Sequence, residues 1–117
     1  MQVRLIVALL GAAACGGSDA SSTPPVSTNK TVDIYTIGEA FSPTFETITV
    51  GDTVRWNFSS GSDGQGHNVR FTPRIQGAPN DLPVHSTGTA LSIFTTRGDF
   101  HYVCDVHPGM LGEVSVQ

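Results

Sequence analysis

Apolar and polar residues alternate along most of the chain with a period of two, the period of β-strands. Val54, Trp56 and Phe58 alternate with Arg55 and Asn57, which predicts a strand with one buried and one wet face. Ile48 and Val50 stand opposite in parity to Thr47 and Thr49 within 45–50. His67, Val69 and Phe71 share one parity, and so do Phe100, Tyr102 and Cys104. A less regular run holds Val32, Ile34, Tyr35 and Ile37. Another spans Leu91 to Thr96, where Leu91, Ile93 and Phe94 leave the phase open, and Val114 and Val116 close the chain. Gly51-Asp52 reads as a turn, 59–66 as a Gly/Ser loop, and 72–88, with Pro73, Pro79 and Pro83, as irregular connection around at most short structure. No stretch has a useful amphipathic helical period, and no repeat is visible. Many short strands between turn signals predict an all-β fold, an antiparallel β-sandwich with Greek-key connections. Trp56, Phe58, Phe71 and Tyr102 belong to its core. Phe100 and Tyr102 point inward on the face that Cys104 shares, and His101 faces out.

Three regions follow from the composition along the chain. Residues 1–14 read as a signal peptide: Arg4 supplies a positive start, Leu5 to Leu10 an apolar run, and Ala12-Ala13-Ala14 a cleavage site. The apolar run is too short to span a bilayer, which takes about 20 residues. Residues 15–29 are a flexible Gly/Ser/Pro-rich tether. Cys15 directly after the small residues resembles a bacterial lipobox, although such boxes usually carry Leu where Ala12 stands, and ordinary signal peptidase fits the same alanines. The tether favours lipidation at Cys15, since a tether serves an anchored end. The folded domain is expected over 30–117. Export to the periplasmic side of the cell envelope, with a lipid anchor, is the expected location.

The chain has 117 residues, enough for one domain with a real core. Lys and Arg number 6 and Asp and Glu 10, a net charge of -4, so there is no polybasic surface and nucleic acid is not an expected partner. The two cysteines, Cys15 and Cys104, lie in such different contexts that a disulfide between them is a poor expectation. A free thiol in an exported protein is a liability unless something occupies it.

The stretch Cys104-Asp105-Val106-His107-Pro108-Gly109-Met110 supplies an occupant. A thiolate, an imidazole and a thioether recur at three-residue spacing. Pro108 steers His107 away from the α region and Gly109 favours a turn, so the spacing reads as a tight loop rather than a helix. A soft thiolate, a borderline imidazole and a weak thioether suit copper better than other common metals. The missing second imidazole is best supplied by His67. Taken singly, His67 or Met110 fits ordinary packing; taken with Cys104 and His107, the four are hard to explain that way. His85, in a Pro-rich connection, and His101 carry no such reading.

Val50-Gly51-Asp52-Thr53-Val54-Arg55-Trp56, then His67-Asn68-Val69, then Phe100 to Met110, resemble the cupredoxins, the small blue copper proteins, with plastocyanin and amicyanin nearest in pattern. The resemblance runs from about residue 30 to the end. It implies a cupredoxin-like sandwich in which one type 1 copper ion is held by His67, Cys104 and His107, with Met110 as the long axial ligand. Such a site lies between the preferences of Cu(II) and Cu(I), so little need move when an electron arrives. The resemblance also implies an Asn68 bond to the residue after the cysteine, here Asp105, whose carboxylate would favour the oxidised metal and lower the potential. It implies, further, that the edge of His107 reaches the surface within an apolar patch, formed here by Pro108, Gly109 and Leu111, where redox partner proteins dock. Val106 stands where relatives often carry Pro, and the gap between His107 and Met110 is the short, amicyanin-like one.

The expected function is therefore periplasmic electron transfer by a monomer without enzymatic activity. The alternative is a copper-binding protein for periplasmic copper delivery or tolerance, but such proteins collect Met and His, and this chain has only Met1 and Met110. Copper oxidases and nitrite reductases need further His-rich sites and more domains. A binuclear centre would want a second Cys in the loop.

Overall fold

The computed structural model describes residues 29–117. The signal segment 1–14 and the tether 15–29, apart from Asn29, lie outside the described residues. The strands among the described residues are β1 (Thr31–Ile37), β2 (Ala40–Ser42), β3 (Phe45–Ile48), β4 (Thr53–Phe58), β5 (His67–Phe71), β6 (Leu82–His85), β7 (Gly88–Ile93), β8 (Gly98–Val103) and β9 (Leu111–Val116). They form two sheets, ordered β2-β1-β4-β7 and β3-β9-β8-β5-β6. No helix among these residues is long and apolar enough to cross a membrane.

The all-β sandwich expected from alternation is present, with one difference in strand direction. β1 runs parallel to β4 and β3 parallel to β9, so each sheet is mixed rather than wholly antiparallel. Alternation decides which face a side chain takes and is blind to the direction of the neighbouring strand. Both parallel pairs join strands distant in sequence, and the chain changes sheet between β2 and β3. It changes sheet again between β3 and β4, and Asp52 braces that second joint: its Oδ1 accepts the amide of Lys30 at 2.9 Å and its Oδ2 that of Thr49 at 3.0 Å.

The expected inward faces of β4, β5 and β8 are buried. Val54, Trp56 and Phe58, then Val69 and Phe71, then Phe100 and Tyr102 join Ile34, Phe41, Phe94 and Val114 in one core. The rings meet edge to face: Tyr102 lies 4.8 Å from Phe41 at 80° and 4.9 Å from Trp56 at 84°, the arrangement the ring quadrupoles favour. Strand β7 settles the phase left open at Leu91 to Thr96. It spans Gly88–Ile93, turns Leu91 and Ile93 outward and buries Ser92. The buried indole of Trp56 needs an acceptor, and its Nε1 donates to Ser92 Oγ at 2.9 Å. Strand β6 lies inside the segment read as irregular. Its pairing with β5 is interrupted by a bulge, and it sits at the sheet edge, where Pro83 is tolerated.

Candidate metal centre

His67 opens β5, and Cys104 follows the last residue of β8. Those strands pair antiparallel through Arg70 with Val103 and Phe71 with Tyr102, which brings His67 and Cys104 to the same end of the sheet. Inward parity buries both, at 0% and 3% exposure. The chain then turns back into β9 through a loop tied by its own backbone: the Cys104 amide donates to the Met110 carbonyl at 2.9 Å and the Met110 amide to the His107 carbonyl at 3.1 Å. Gly109 takes φ +82°, a left-handed conformation that residues with a side chain rarely adopt. The loop thereby folds His107 and Met110 inward, both buried.

Three donor atoms meet there. Sγ of Cys104 lies 3.8 Å from Nδ1 of His67 and 3.9 Å from Nδ1 of His107, and the two nitrogens are 3.1 Å apart. The point equidistant from the three is about 2.1 Å from each, within the roughly 2.0–2.3 Å range of metal–imidazole and metal–thiolate bonds. The triangle therefore has the size for one ion at its centre. Met110 is buried beside it, while His85 and His101 stay outside. The ring of His85 stacks on Phe58 at 4.7 Å and its Nδ1 lies 2.6 Å from the Pro83 carbonyl oxygen. His101 is exposed, 3.4 Å from Glu113.

The protonation tendencies of Cys104 and His67 suit a cation. Burial pushes the Cys104 thiol up, but the backbone of Asn68, the side chain of His107 and the backbone of His107 and Val106 hydrogen-bond to it, and the net displacement is downward, toward the thiolate. Burial, and then the neighbouring His107, hold His67 below the usual imidazole range and keep it neutral, as a ligand must be. His107 is displaced upward by Cys104 first and by Asp63 second.

The Asn68 bridge expected from the sequence is present and doubled. Asn68 Nδ2 donates to Asp105 Oδ2 at 2.8 Å, and the Asp105 amide donates to Asn68 Oδ1 at 2.7 Å. One addition changes its electrostatics. Arg70 grips the same carboxylate, Nε to Oδ1 at 2.9 Å and Nη2 to Oδ1 at 2.7 Å, so the negative charge expected to lower the potential is largely matched by a guanidinium. Arg70 was findable: it shares the outward parity of Asn68 on β5. A second addition had no signal. His107 is only 7% exposed, and its Nε2 lies 2.8 Å from Asp63 of the 59–66 loop, so a carboxylate covers the ring edge that the resemblance leaves at the surface. Pro108, Gly109 and Leu111 are exposed as expected.

A two-sheet sandwich carrying a buried two-imidazole, one-thiolate centre where a strand end meets a tight loop defines a class: a β-sandwich protein with a mononuclear site for a soft or borderline metal. No protein-family model and no curated protein matches the chain. Solved structures do. A copper-containing nitrite reductase from Thermus scotoductus SA-01 superposes with TM-score 0.64 at 24% identity over 74% of this chain, which spans only 22% of that one. A reduced, Cu(I) form of an amicyanin variant gives 0.60 at 30% identity, covering 74% of this chain and 82% of that one. Another reduced amicyanin variant gives 0.62 at 25%, covering 80% and 87%. The chain belongs to the cupredoxin family, and the donors gathered here form a site for one copper ion.

Proposed function

We propose that the chain is an electron-transfer protein carrying one electron on a mononuclear type 1 copper, with His67, Cys104 and His107 as strong ligands and Met110 as the weak axial one. The observation behind this reading is the buried triangle of two nitrogens and one sulfur, sized for a single ion. Copper, when bound, supplies the one-electron Cu(II)/Cu(I) couple. The protein supplies fixed positions: β5 and β8 hold His67 and Cys104, and the backbone bonds of the 104–110 loop hold His107 and Met110. Burial of all four keeps water away. Donors held this firmly need not rearrange when the charge changes, which favours fast transfer.

Leu111, 57% exposed, lies beside exposed Pro108 and Gly109 and offers an apolar rim next to His107 for a redox partner protein. The protein acts in this reading as a monomer and as a carrier without catalysis of its own; the nitrite reductase activity is that of a much longer chain. Residues 1–29 support export to the periplasmic side of the envelope and anchoring through lipidated Cys15. Loading the purified protein with Cu(II) and recording visible and EPR spectra tests the copper reading. An intense thiolate-to-copper charge-transfer band is expected. A colourless protein that holds Cu(I) tightly points instead to copper delivery or tolerance. Incorporation of labelled fatty acid, lost in Cys15→Ala, tests the anchor.

A further inference from the structure

Asp63 belongs to none of the strands. It stands in the loop between β4 and β5, its side chain 41% exposed, with Oδ2 2.8 Å from Nε2 of His107. An ionised carboxylate only accepts hydrogen bonds, so Nε2 carries the hydrogen and donates it. Neutral imidazole has one such hydrogen, and Nδ1, the atom turned toward Cys104 and His67, is left with its lone pair free.

The carboxylate is itself held. Asp63 Oδ1 accepts the Gln65 amide at 3.0 Å, and the Gly61 amide closes the turn onto the Gln65 carbonyl at 2.8 Å. Ser62 fastens the loop to Glu39, its amide donating to Oε1 at 2.8 Å and its hydroxyl to the same oxygen. Ser59 fastens it to β1, its amide donating to Thr36 Oγ1 at 2.8 Å. Gly61 is buried, and a Cβ there would stand 2.8 Å from Asp63 Oδ1 and 3.2 Å from His107 Nε2. Its missing side chain lets the carboxylate reach the ring.

We propose that Asp63 is a positioning residue of the copper centre, fixing the His107 ring with Nδ1 toward the metal, strengthening that nitrogen as a donor, and so favouring Cu(II) over Cu(I) and lowering the reduction potential. The inference rests on the copper reading above. Its physical basis is general: a carboxylate accepting the outer N–H of a ligating imidazole sets its tautomer and orientation and raises its basicity. Glu39 is the control for charge alone: its carboxylate lies within 4.8 Å of the His107 ring nitrogen but bonds Ser62 and not the ring, and Glu39→Gln keeps an oxygen that accepts from Ser62 and so leaves the loop anchored.

The test uses the full chain loaded with Cu(II), as wild type, Asp63→Ala, Asp63→Asn and Glu39→Gln. Visible and EPR spectra, Cu(II) affinity and a redox titration are the readouts. Asp63→Ala is expected to weaken Cu(II) binding about tenfold or more, within the roughly 10- to 100-fold that such partners carry. With Cu(I) affinity unchanged, tenfold appears as an upward potential shift of about 59 mV. Asp63→Asn keeps an acceptor without the charge and should shift the potential less, in the same direction; it carries the test alone should Asp63→Ala not fold. Glu39→Gln should shift it least, and the charge-transfer band should persist throughout. Wild-type potential and affinity in the Asp63 variants, or a Glu39→Gln shift as large as theirs, overturns the inference and leaves the copper reading standing. A wild-type chain that takes up copper without the band overturns both.

Discussion

Among the described residues one side-chain triad occurs twice, and the two copies stand in different surroundings. On the outer face of the first sheet, Asp33 accepts from Arg55 at 2.6 Å and from Asn57 at 2.9 Å, spanning the parallel pair β1 and β4. At the metal end, Asp105 accepts from Arg70 and Asn68, spanning β5 and the loop after β8. The residue types are alike, and both carboxyls lie below the usual range, held there by the arginine first and the asparagine second. Only the second triad sits beside ligands: Asn68 follows His67, and Asp105 follows Cys104. The first joins neighbours already paired along five residues; the second joins the two strands whose separation sets the donor triangle. Placement, not residue type, sets them apart: one braces a strand pair on the surface, and the other ties together the two segments that carry His67 and Cys104.

The largest effect expected is the trivial one that anchors the rest. Cys104→Ser removes the thiolate and should abolish the charge-transfer band, with copper affinity falling by more than the roughly 100-fold seen for outer partners. Retention of the band would mean that sulfur is not a ligand. Next comes a matched pair that breaks or sharpens the comparison directly. Asn68→Ala should weaken copper binding about tenfold, while Asn57→Ala, the same change in the other triad, should leave affinity and spectrum alone. Equal losses in metal competition titrations would mean that both triads act only through overall stability.

Much of this division was legible in the sequence, for reasons that differ between regions. The faces of β4, β5 and β8 could be read because each alternates over five or six residues and buries the apolar residues of one parity. The convergence of Cys104 and His107 with His67 could be read because thiolate, imidazole and thioether in one loop have little use for one another without a metal. Strand β2 escaped, since three residues give no period. Strand β7 was misplaced by a few residues because it inverts the usual rule, exposing Leu91 and Ile93 to bury the serine that Trp56 requires. The Asp63–His107 contact joins residues 44 apart through side chains alone, and such a pairing leaves no periodic trace.

A smaller effect is expected in the core behind the second triad. The Tyr102 hydroxyl is buried with no hydrogen-bond partner among the described residues, and burial drives its ionisation far upward. An unsatisfied buried hydroxyl costs about 1–3 kcal/mol. Tyr102→Phe should therefore stabilise the apoprotein by about 1 kcal/mol in denaturant titration, with the spectrum of the copper form unchanged. Destabilisation would show that the hydroxyl has a partner, such as a bound water.

The smallest effect belongs to the first triad, and its sign can be worked out. Asp33 is more acidic in the folded protein than in the unfolded chain, because Arg55 and then Asn57 favour its charged form. A depressed folded pKa contributes stability that is full above the unfolded value, about 3.9, and is lost as pH falls through the folded one. Arg55→Ala removes the main cause, so the apoprotein should gain less stability between strongly acidic and mildly acidic pH than wild type does. Arg55 and Asp33 are both accessible to solvent, at 47% and 28% of their side-chain surface, so the difference should shrink in high salt. The copper spectrum at neutral pH should not move. A spectral change in Arg55→Ala would show that the remote triad reaches the metal after all and would erase the contrast between the two.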